Sequence, residues 1–350
     1  MKIYYYNQQD TQFMWDGWKK GVFPGHLLYG ATHFSDYGIE MVMHRYYDAP
    51  SRWRLSLNTL WQVLTCREHY DVLYGNAFRG LELLIFLRAL GLYRKPIVVW
   101  HHQPVKKSKN RLRELAARLF YRGIDQMFLF SEKLIADSLL SSKARRERMH
   151  MAHWGADLAY YDALMREEGV NRAAATFIST GKELRDMPTL VKAFNATTAR
   201  LDIYVSRSYL GNDYEDVFRK LPMKPNIHLE YIQGMVFREM SKKVNRASCV
   251  VVCCQKSNYT VGLTTVVEAL ALGLPVICTR NEQMPMDLES EGCGIWVDEG
   301  DVEGWEKAIR YIADNPAEAR EMGRKGRLLA ERLYNIERCT ADIAEVIKNL

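Results

Sequence analysis

The stretch Cys249-Val250-Val251-Val252-Cys253-Cys254-Gln255-Lys256-Ser257-Asn258-Tyr259-Thr260-Val261-Gly262-Leu263-Thr264-Thr265-Val266-Val267-Glu268-Ala269-Leu270-Ala271-Leu272-Gly273-Leu274-Pro275-Val276 holds a strand, a loop, a helix and the start of the next strand. The apolar run Cys249–Cys254 reads as a buried strand. Gly262 permits a tight approach of the backbone, Thr264 is the expected N-cap, and Gly273 with Pro275 stops the helix before a second apolar strand at Pro275–Cys278. A strand, a crossover helix and a strand of this kind specify parallel pairing, with the sheet covered on both faces.

The same rhythm extends in both directions. Strands are predicted at Lys2–Tyr6, Glu40–Met43, Asp71–Tyr74, Ile97–Trp100 and Gln126–Phe130, then at Thr176–Ser179, Leu201–Val205, Ile227–Tyr231 and Gly294–Val297. With the two above these make eleven, too many for one compact doubly wound sheet and suited to two. Strand signals lapse between Trp154-Gly155-Ala156-Asp157 and Thr176, which sets the expected division. An N-terminal Rossmann-like domain covers residues 1–157 and is joined by a C-terminal helix at about 335–350, and a C-terminal Rossmann-like domain covers residues 158–334.

Composition agrees with an α/β enzyme-sized chain of 350 residues: 48% are apolar, 26% charged, and only 22 are Gly and 10 Pro, which excludes collagen-like and low-complexity classes. No stretch approaches the ~18 uninterrupted apolar residues of a membrane span. The opening residues Met1–Asn7 lack a long apolar signal core, so a cytoplasmic protein is expected. The seven cysteines form no Cys-x-x-Cys pair and are read as reduced core residues. The net charge of +6 is unevenly divided: residues 1–150 carry 23 basic against 13 acidic side chains, the remainder 25 against 29.

Ligands of parallel α/β sheets bind beyond the carboxyl ends of the strands, where helix N-termini offer free N–H groups to anions. Two loops of the second half stand out. One is Gly181-Lys182-Glu183-Leu184-Arg185-Asp186-Met187-Pro188, in which Gly181 allows close approach and Lys182 and Arg185 supply two cations beside a helix start, as a diphosphate needs. The other is the loop before Leu263, where Glu268 stands four residues after Thr264 on one helix face. That carboxylate is read either as accepting a pair of sugar hydroxyls, such as a ribose diol, or as a structural acid completing the helix cap.

Gly262-Leu263…Glu268-Ala269-Leu270…Gly273-Leu274-Pro275-Val276 resembles the retaining glycosyltransferases of family 4, whose GT-B fold sets two Rossmann-like domains with parallel sheets facing a central cleft. Gly181-Lys182…Arg185-Asp186 is similar to the family's basic phosphate loop, Trp154–Asp157 to its interdomain segment, and Ile295–Asp298 with Gly300-Asp301 and Met322-Gly323 to its C-terminal tail. The resemblance runs from about residue 96 to 340. It implies transfer of a hexosyl sugar from a nucleotide-sugar donor to a glycan or lipid-linked acceptor with retention, no essential metal and no other cofactor. By position, Glu268 holds the ribose, Lys182 and Arg185 neutralise the leaving diphosphate beside Gly181, and the backbone of Gly262, Leu263 and Thr264 assists. The family commonly places an earlier glutamate at the position of Thr260, so an altered sugar preference is expected here.

In the first half, His101 and His102 follow the strand Ile97–Trp100; the resemblance favours His102 as the residue that reaches the donor sugar or the transferred group, and a buried, hydrogen-bonded pair is the alternative. Gly25 and His26 match the family's glycine-bearing loop loosely and are read as bordering the same sugar or acceptor site, with an ordinary turn at Gly25 as the alternative. Trp15 and Trp18 are read as stacking surfaces for an acceptor sugar, with core packing of at least one as the alternative. Ser131-Glu132 is read as structural. The segment Lys106–Arg122 interleaves Lys106, Lys107, Lys109, Arg111, Arg113, Arg118 and Arg122 with Leu112, Leu115, Ala116, Leu119 and Phe120 at three- and four-residue spacing. It either docks onto anionic lipid headgroups, peripheral on the inner face, or onto a phosphorylated acceptor, or it is a solvated helix whose apolar side packs on the sheet. No metal site is expected, because no third His or acid lies at ligand spacing, and no nucleic-acid motif is seen. Rival readings are a nucleotide-sugar 2-epimerase and a nucleotide-binding GT-B subunit without activity. The activity expected is that of surface polysaccharide or glycolipid assembly.

Overall fold

In a computed structural model, residues 1–209, 211–234 and 237–350 are described. The chain divides into one unit of Met1–Trp154 with Ile336–Leu350 and a second of Gly155–Asn335.

The first unit is a six-stranded parallel sheet of β1 (Lys2–Tyr6), β2 (Glu40–Met43), β3 (Val72–Gly75), β4 (Ile97–Trp100), β5 (Gln126–Leu129) and β6 (Met149–Met151), ordered β2-β1-β3-β4-β5-β6. Its helices are α1 (Thr11–Lys19), α2 (Arg52–Leu64), α3 (Glu82–Ala89), α4 (Arg111–Arg122) and α5 (Glu132–Leu139). Its core is aromatic, and the polar ends of the rings are put to use. The Tyr5 hydroxyl donates to the Leu28 carbonyl at 2.9 Å, the Tyr74 hydroxyl to the Tyr29 carbonyl at 2.8 Å, and the Trp100 indole to the Tyr74 hydroxyl at 2.7 Å. These bonds tie the loop after α1 to the carboxyl ends of β1 and β3.

The second unit begins with α6 (Leu158–Glu168) and contains a sheet of β7 (Thr176–Thr180), β8 (Arg200–Val205), β11 (Ile227–Tyr231), β12 (Cys249–Val252), β13 (Val276–Thr279) and β14 (Gly294–Val297), ordered β11-β8-β7-β12-β13-β14 and parallel throughout. A two-stranded ribbon, β9 (Ser208–Tyr209) with β10 (Asn212–Asp213), follows β8. The helices are α7 (Met187–Asn195), α8 (Tyr214–Arg219), α9 (Phe237–Asn245), α10 (Leu263–Ala271), α11 (Val302–Asp314) and α12 (Pro316–Arg332). One face of the sheet packs Phe177, Leu201, Val251 and Ile277 against Leu190, Phe194 and Trp305 of α7 and α11. The last helix, α13 (Ile336–Lys348), returns to the first unit, where Asp342 accepts from the backbone N–H and the ring Nδ1 of His153 at 2.9 and 2.8 Å.

The α/β class and the two parallel sheets agree with the sequence reading. Three strands were outside it: β6 and the ribbon β9–β10. The seven cysteines are unpaired, and all but Cys66 are buried. Among the described residues no helix is long and apolar enough to cross a membrane.

Two expectations are corrected. Thr264 does not cap α10. The cap is Gly262, at φ +87°, where a Cβ would stand 2.6 Å from Val252 Cγ1, and no side chain closes that helix end. Nor does the apolar side of α4 pack wholly on the sheet. Leu112 and Leu115 are exposed, while Glu114 turns inward to meet Lys143 Nζ at 2.9 Å and the Ser108 N–H at 2.7 Å. The Lys143 contact, ahead of the Ser108 bond, holds the Glu114 carboxyl below the usual carboxylate range.

Candidate active site

The two loops singled out in the sequence lie side by side at the carboxyl ends of β7 and β12, joined by their backbones. The Asp186 N–H donates to the Cys253 carbonyl at 3.0 Å and the Gln255 N–H to the Leu184 carbonyl at 2.8 Å, with Arg185 bridged to Cys254. Asp186 caps α7 through its Oδ1, which accepts the Thr189 N–H at 3.2 Å, and Pro188 sits in the first turn as its fixed φ favours.

Arg185 lies inside this junction, 4% exposed. Its Nε donates to the Thr180 carbonyl at 3.0 Å, Nη1 to the Glu183 carbonyl and Cys254 Sγ at 3.1 Å each, and Nη2 to Thr265 Oγ1 at 3.2 Å. Thr265 is in the first turn of α10, so the guanidinium stands beside a helix N-terminus that no side chain caps. Gly181 makes room for it: at φ +101°, a Cβ there would lie 2.2 Å from Arg185 Nη2. Neither Arg185 nor Lys182 has an ion-pair partner among the described residues. A buried guanidinium without a counter-charge, next to free helix N–H groups, is an unneutralised positive site suited to an anion. Lys182 is exposed, its ammonium 4.6 Å from the centre of the Tyr209 ring.

Two tyrosines that shape this site were given no role in the sequence reading. The buried Tyr214 hydroxyl receives the Arg185 N–H and donates to the Lys182 carbonyl, both at 3.0 Å, which fixes the basic loop from below. The Tyr259 hydroxyl donates to Glu183 Oε1 at 2.7 Å, linking the two loops through side chains. Burial, then that carboxylate, pushes the Tyr259 hydroxyl well above the ordinary tyrosine range. No periodicity marks these residues, because their partners are 32 and 76 positions away. A cavity of about 330 Å3 opens beside the junction, lined by Cys254, Gln255, Lys256, Thr279, Asn281 and Gln283.

Thr260 is buried one residue before the Val261-Gly262 turn, and its carbonyl receives the Leu263 N–H at 3.2 Å. Leu263 is buried and Thr264 exposed in the first turn of α10. Glu268 is half-buried one turn further along, against the hydroxyl of the fully buried Tyr161 of α6; burial and then this carboxylate raise that hydroxyl far above its ordinary value. Gly155, ahead of α6, is tied to its place by proximity, since a Cβ there would stand 1.8 Å from the Tyr334 carbonyl carbon.

In the first unit the histidine pair divides. His101 is buried, its Nδ1 donating to the Gln103 carbonyl and its Nε2 accepting from the Tyr121 hydroxyl at 2.9 Å; burial brings its pKa down to about 4. Both nitrogens are thus engaged in the neutral ring. His102 is exposed and stacks on Tyr29, with ring centres 5.9 Å apart and planes 9° from parallel. Because a carbonyl only accepts, the 3.0 Å contact to the Asn76 oxygen puts the proton on Nε2. Tyr29, at φ 49°, also meets Trp100 and Trp154, and His26 lies edge-on to Trp154 at 5.3 Å. Gly25 opens the buried 3-10 turn Gly25–Leu28 that contains His26. Trp15 and Trp18 are half-buried on α1 and pair at 5.2 Å. Ser131 caps α5, accepting the Leu134 N–H at 3.2 Å. Among the described residues no group of three or more His, Cys, Asp or Glu is placed to hold a metal ion.

Residues 212–329 match the family described as glycosyl transferases group 1. The chain is 22% identical over 303 residues to the MMP alpha-(1->4)-mannosyltransferase of Mycolicibacterium hassiacum, covering 80% of this chain and 71% of that protein. Its fold is similar to that of HepE from Anabaena, solved with UDP and glucose, with a TM-score of 0.70 and 14% identity over the whole of both chains. It is also similar to WaaG, a glycosyltransferase involved in lipopolysaccharide biosynthesis, with a TM-score of 0.63 and 13% identity over 99% of each chain. Its two parallel six-stranded sheets and these likenesses give the chain the GT-B fold, and the region that matches the group 1 glycosyl transferases spans the loop before α10 and Glu268.

Proposed function

We propose that this glycosyltransferase is a retaining hexosyltransferase that takes its sugar from a nucleotide-sugar donor and transfers it to a glycan or lipid-linked acceptor, in surface polysaccharide or glycolipid assembly. The observation that carries the donor assignment is the buried Arg185 guanidinium, without a carboxylate partner, beside the open N-terminus of α10. A diphosphate placed there receives the charge of Arg185 and Lys182 and the N–H groups following Gly262, which strengthens as the leaving oxygen gains charge. The same cations remove the need for an essential metal. Glu268 accepts the two ribose hydroxyls, with Tyr161 orienting its carboxylate.

In the reaction the acceptor hydroxyl attacks the anomeric carbon from the side of the leaving group. The bond from that carbon to the phosphate oxygen breaks, and a phosphate oxygen takes the hydroxyl proton. Thr260 and the cavity beside it select the sugar, and His102, with Nε2 bonded to the Asn76 carbonyl and Nδ1 unprotonated, orients a hydroxyl of the sugar or acceptor. Peripheral contact of Lys106–Arg122 with an anionic membrane brings the enzyme to a lipid-linked acceptor. The WaaG likeness supports such an acceptor, and HepE makes the uridine series the first donors to try.

The test is a thermal-shift panel of nucleoside diphosphates and their sugars on the wild type and on Glu268→Ala. A ligand at a hundred times its Kd stabilises by about 2.7 kcal/mol. One diphosphate series should raise Tm in the wild type and do so weakly in the variant; no shift with any nucleotide would refute the donor assignment.

A further inference from the structure

Helix α2 is amphipathic in the inverted sense. Its buried positions are Ser56, Thr59 and Val63, whereas Trp53, Leu57, Trp61 and Leu64, spaced by four, four and three residues along one face, are turned out to solvent. The two indoles are 61% and 69% exposed. Burying two hydroxyls while exposing two tryptophans and two leucines is costly for a helix that meets only water.

Helix α4 is built the same way, with Glu114 inside and Leu112 and Leu115 outside, 79% and 66% exposed. The two helices are not remote from each other. Helix α3 packs against both, and Gly123, which ends α4, lies so close to α3 that a Cβ would stand 1.9 Å from the Ile85 carbonyl oxygen. The crossovers from β2 to β3, β3 to β4 and β4 to β5 progress in one direction along the sheet, which sets α2, α3 and α4 on one face in that order. Leu90 and Leu92, following α3, are exposed as well. The outer surface of these helices is therefore an apolar strip edged by cations: Arg52 and Arg54 on α2, and Arg111, Arg113, Arg118 and Arg122 on α4. Glu82 of α3 pairs with Arg52 at 2.6 Å, and Glu114 of α4 is turned inward to Lys143. Beyond the end of α4, a pocket of about 230 Å3 is lined by Arg118, Arg122, Lys143, Arg145 and Arg148.

We propose that the outer face of α2–α4 inserts into an anionic bilayer, with Trp53, Leu57, Trp61 and Leu64 entering the headgroup–acyl boundary beside Leu112 and Leu115. The charge pattern selects this occupant. A second copy of the chain docked about a two-fold axis would set the same cations against each other, whereas an anionic leaflet meets them with opposite charge. Tryptophan is the residue that favours the membrane interface, being apolar with one N–H donor. The proposal deepens the reading above and rests on it for the lipid-linked acceptor; it replaces a purely electrostatic contact through Lys106–Arg122 with an apolar anchor on a second helix.

The test is co-sedimentation of the full chain with phosphatidylcholine vesicles, with and without phosphatidylglycerol. It compares the wild type with Trp53→Ala/Trp61→Ala and with Trp53→Phe/Trp61→Phe, alongside quenching of tryptophan fluorescence by brominated lipid. Binding is expected on the anionic vesicles only. It should fall about tenfold for each tryptophan truncated to alanine, and much less for the phenylalanine pair. The nucleotide-dependent rise in Tm should be the same in all three proteins, so failure here is distinguishable from failure of the donor assignment. Vesicle binding that the alanine variant retains in full, with no quenching in the wild type, would overturn insertion. So would absence of vesicle binding, whether the chain then proves monomeric, self-associates through this face, or captures an acidic protein.

Discussion

Replacing Gly181 by alanine tests whether the basic loop is shaped around Arg185. At φ +101° the alanine is strained by about 1–3 kcal/mol. Its Cβ would also lie 2.2 Å from Arg185 Nη2, so the guanidinium must swing away and lose its 3.2 Å bond to Thr265, a charge-assisted contact of about 1.5 kcal/mol. Against this, the lower entropy of the unfolded alanine chain returns about 0.4–1 kcal/mol. The net destabilisation is about 2–4 kcal/mol, or about 5–15 °C in the Tm of a unit this size. The informative experiment is a double-mutant cycle by thermal or urea unfolding. With Arg185→Ala already present the clash is gone, and Gly181→Ala should cost only its backbone strain, a coupling of about 1–1.5 kcal/mol. Gly181→Ala should also weaken binding of a nucleoside diphosphate, since the displaced cation no longer faces the site. An identical cost in both backgrounds would refute the claim that this glycine exists to admit the arginine.

Two further outcomes follow from the histidines. His102→Ala should lower the rate of transfer with little change in Tm, because the ring is exposed, whereas His101→Ala should lower Tm by removing a buried ring bonded at both nitrogens; unfolding curves and steady-state rates of the two variants check the split. Stability should also depend on pH through His44 and His101, both held neutral by burial with pKa values of about 4 against 6.5 when unfolded. As pH falls below 6.5 the unfolded chain binds protons that the folded chain refuses, so stability declines down to about pH 4, by up to about 3 kcal/mol for each histidine. A Tm that stays level from pH 7 to about 4 would contradict this.

Strands were legible as apolar runs, as in the buried β4, or as apolar–polar alternation, as in the half-exposed edge strand β11, and β1, β2, β4, β11 and β14 begin and end where the sequence places them. The strand β6, Met149-His150-Met151, is too short and too mixed to declare itself. The ribbon Ser208–Asp213 owes its pairing to contacts that no periodicity announces. The two site loops were legible as separate features, through their glycines and cations. That they zip together was not, because it depends on β7 and β12 lying next to each other although 72 residues separate Thr176 from Ser248 at their starts. Which of two adjacent histidines faces solvent was equally hidden, since it turns on the partners Tyr121 and Asn76. The spacing in α4 identified an amphipathic helix but not which side faces the sheet. The inward side is set by the Glu114–Lys143 pair, whose members are 29 residues apart. In α2 the exposed tryptophans would have been assigned to the core by composition alone.

The central claim is that Lys182 and Arg185 face the leaving diphosphate, and Lys182 gives the cleanest access to it because its side chain is exposed and without an ion pair among the described residues. The measurement is the Kd of the cognate nucleoside, its monophosphate and its diphosphate for the wild type and Lys182→Ala, by titration calorimetry. The account predicts an unchanged Tm, unchanged nucleoside binding, and diphosphate binding weakened by about tenfold. Equal weakening of all three ligands, or none for the diphosphate, would contradict it.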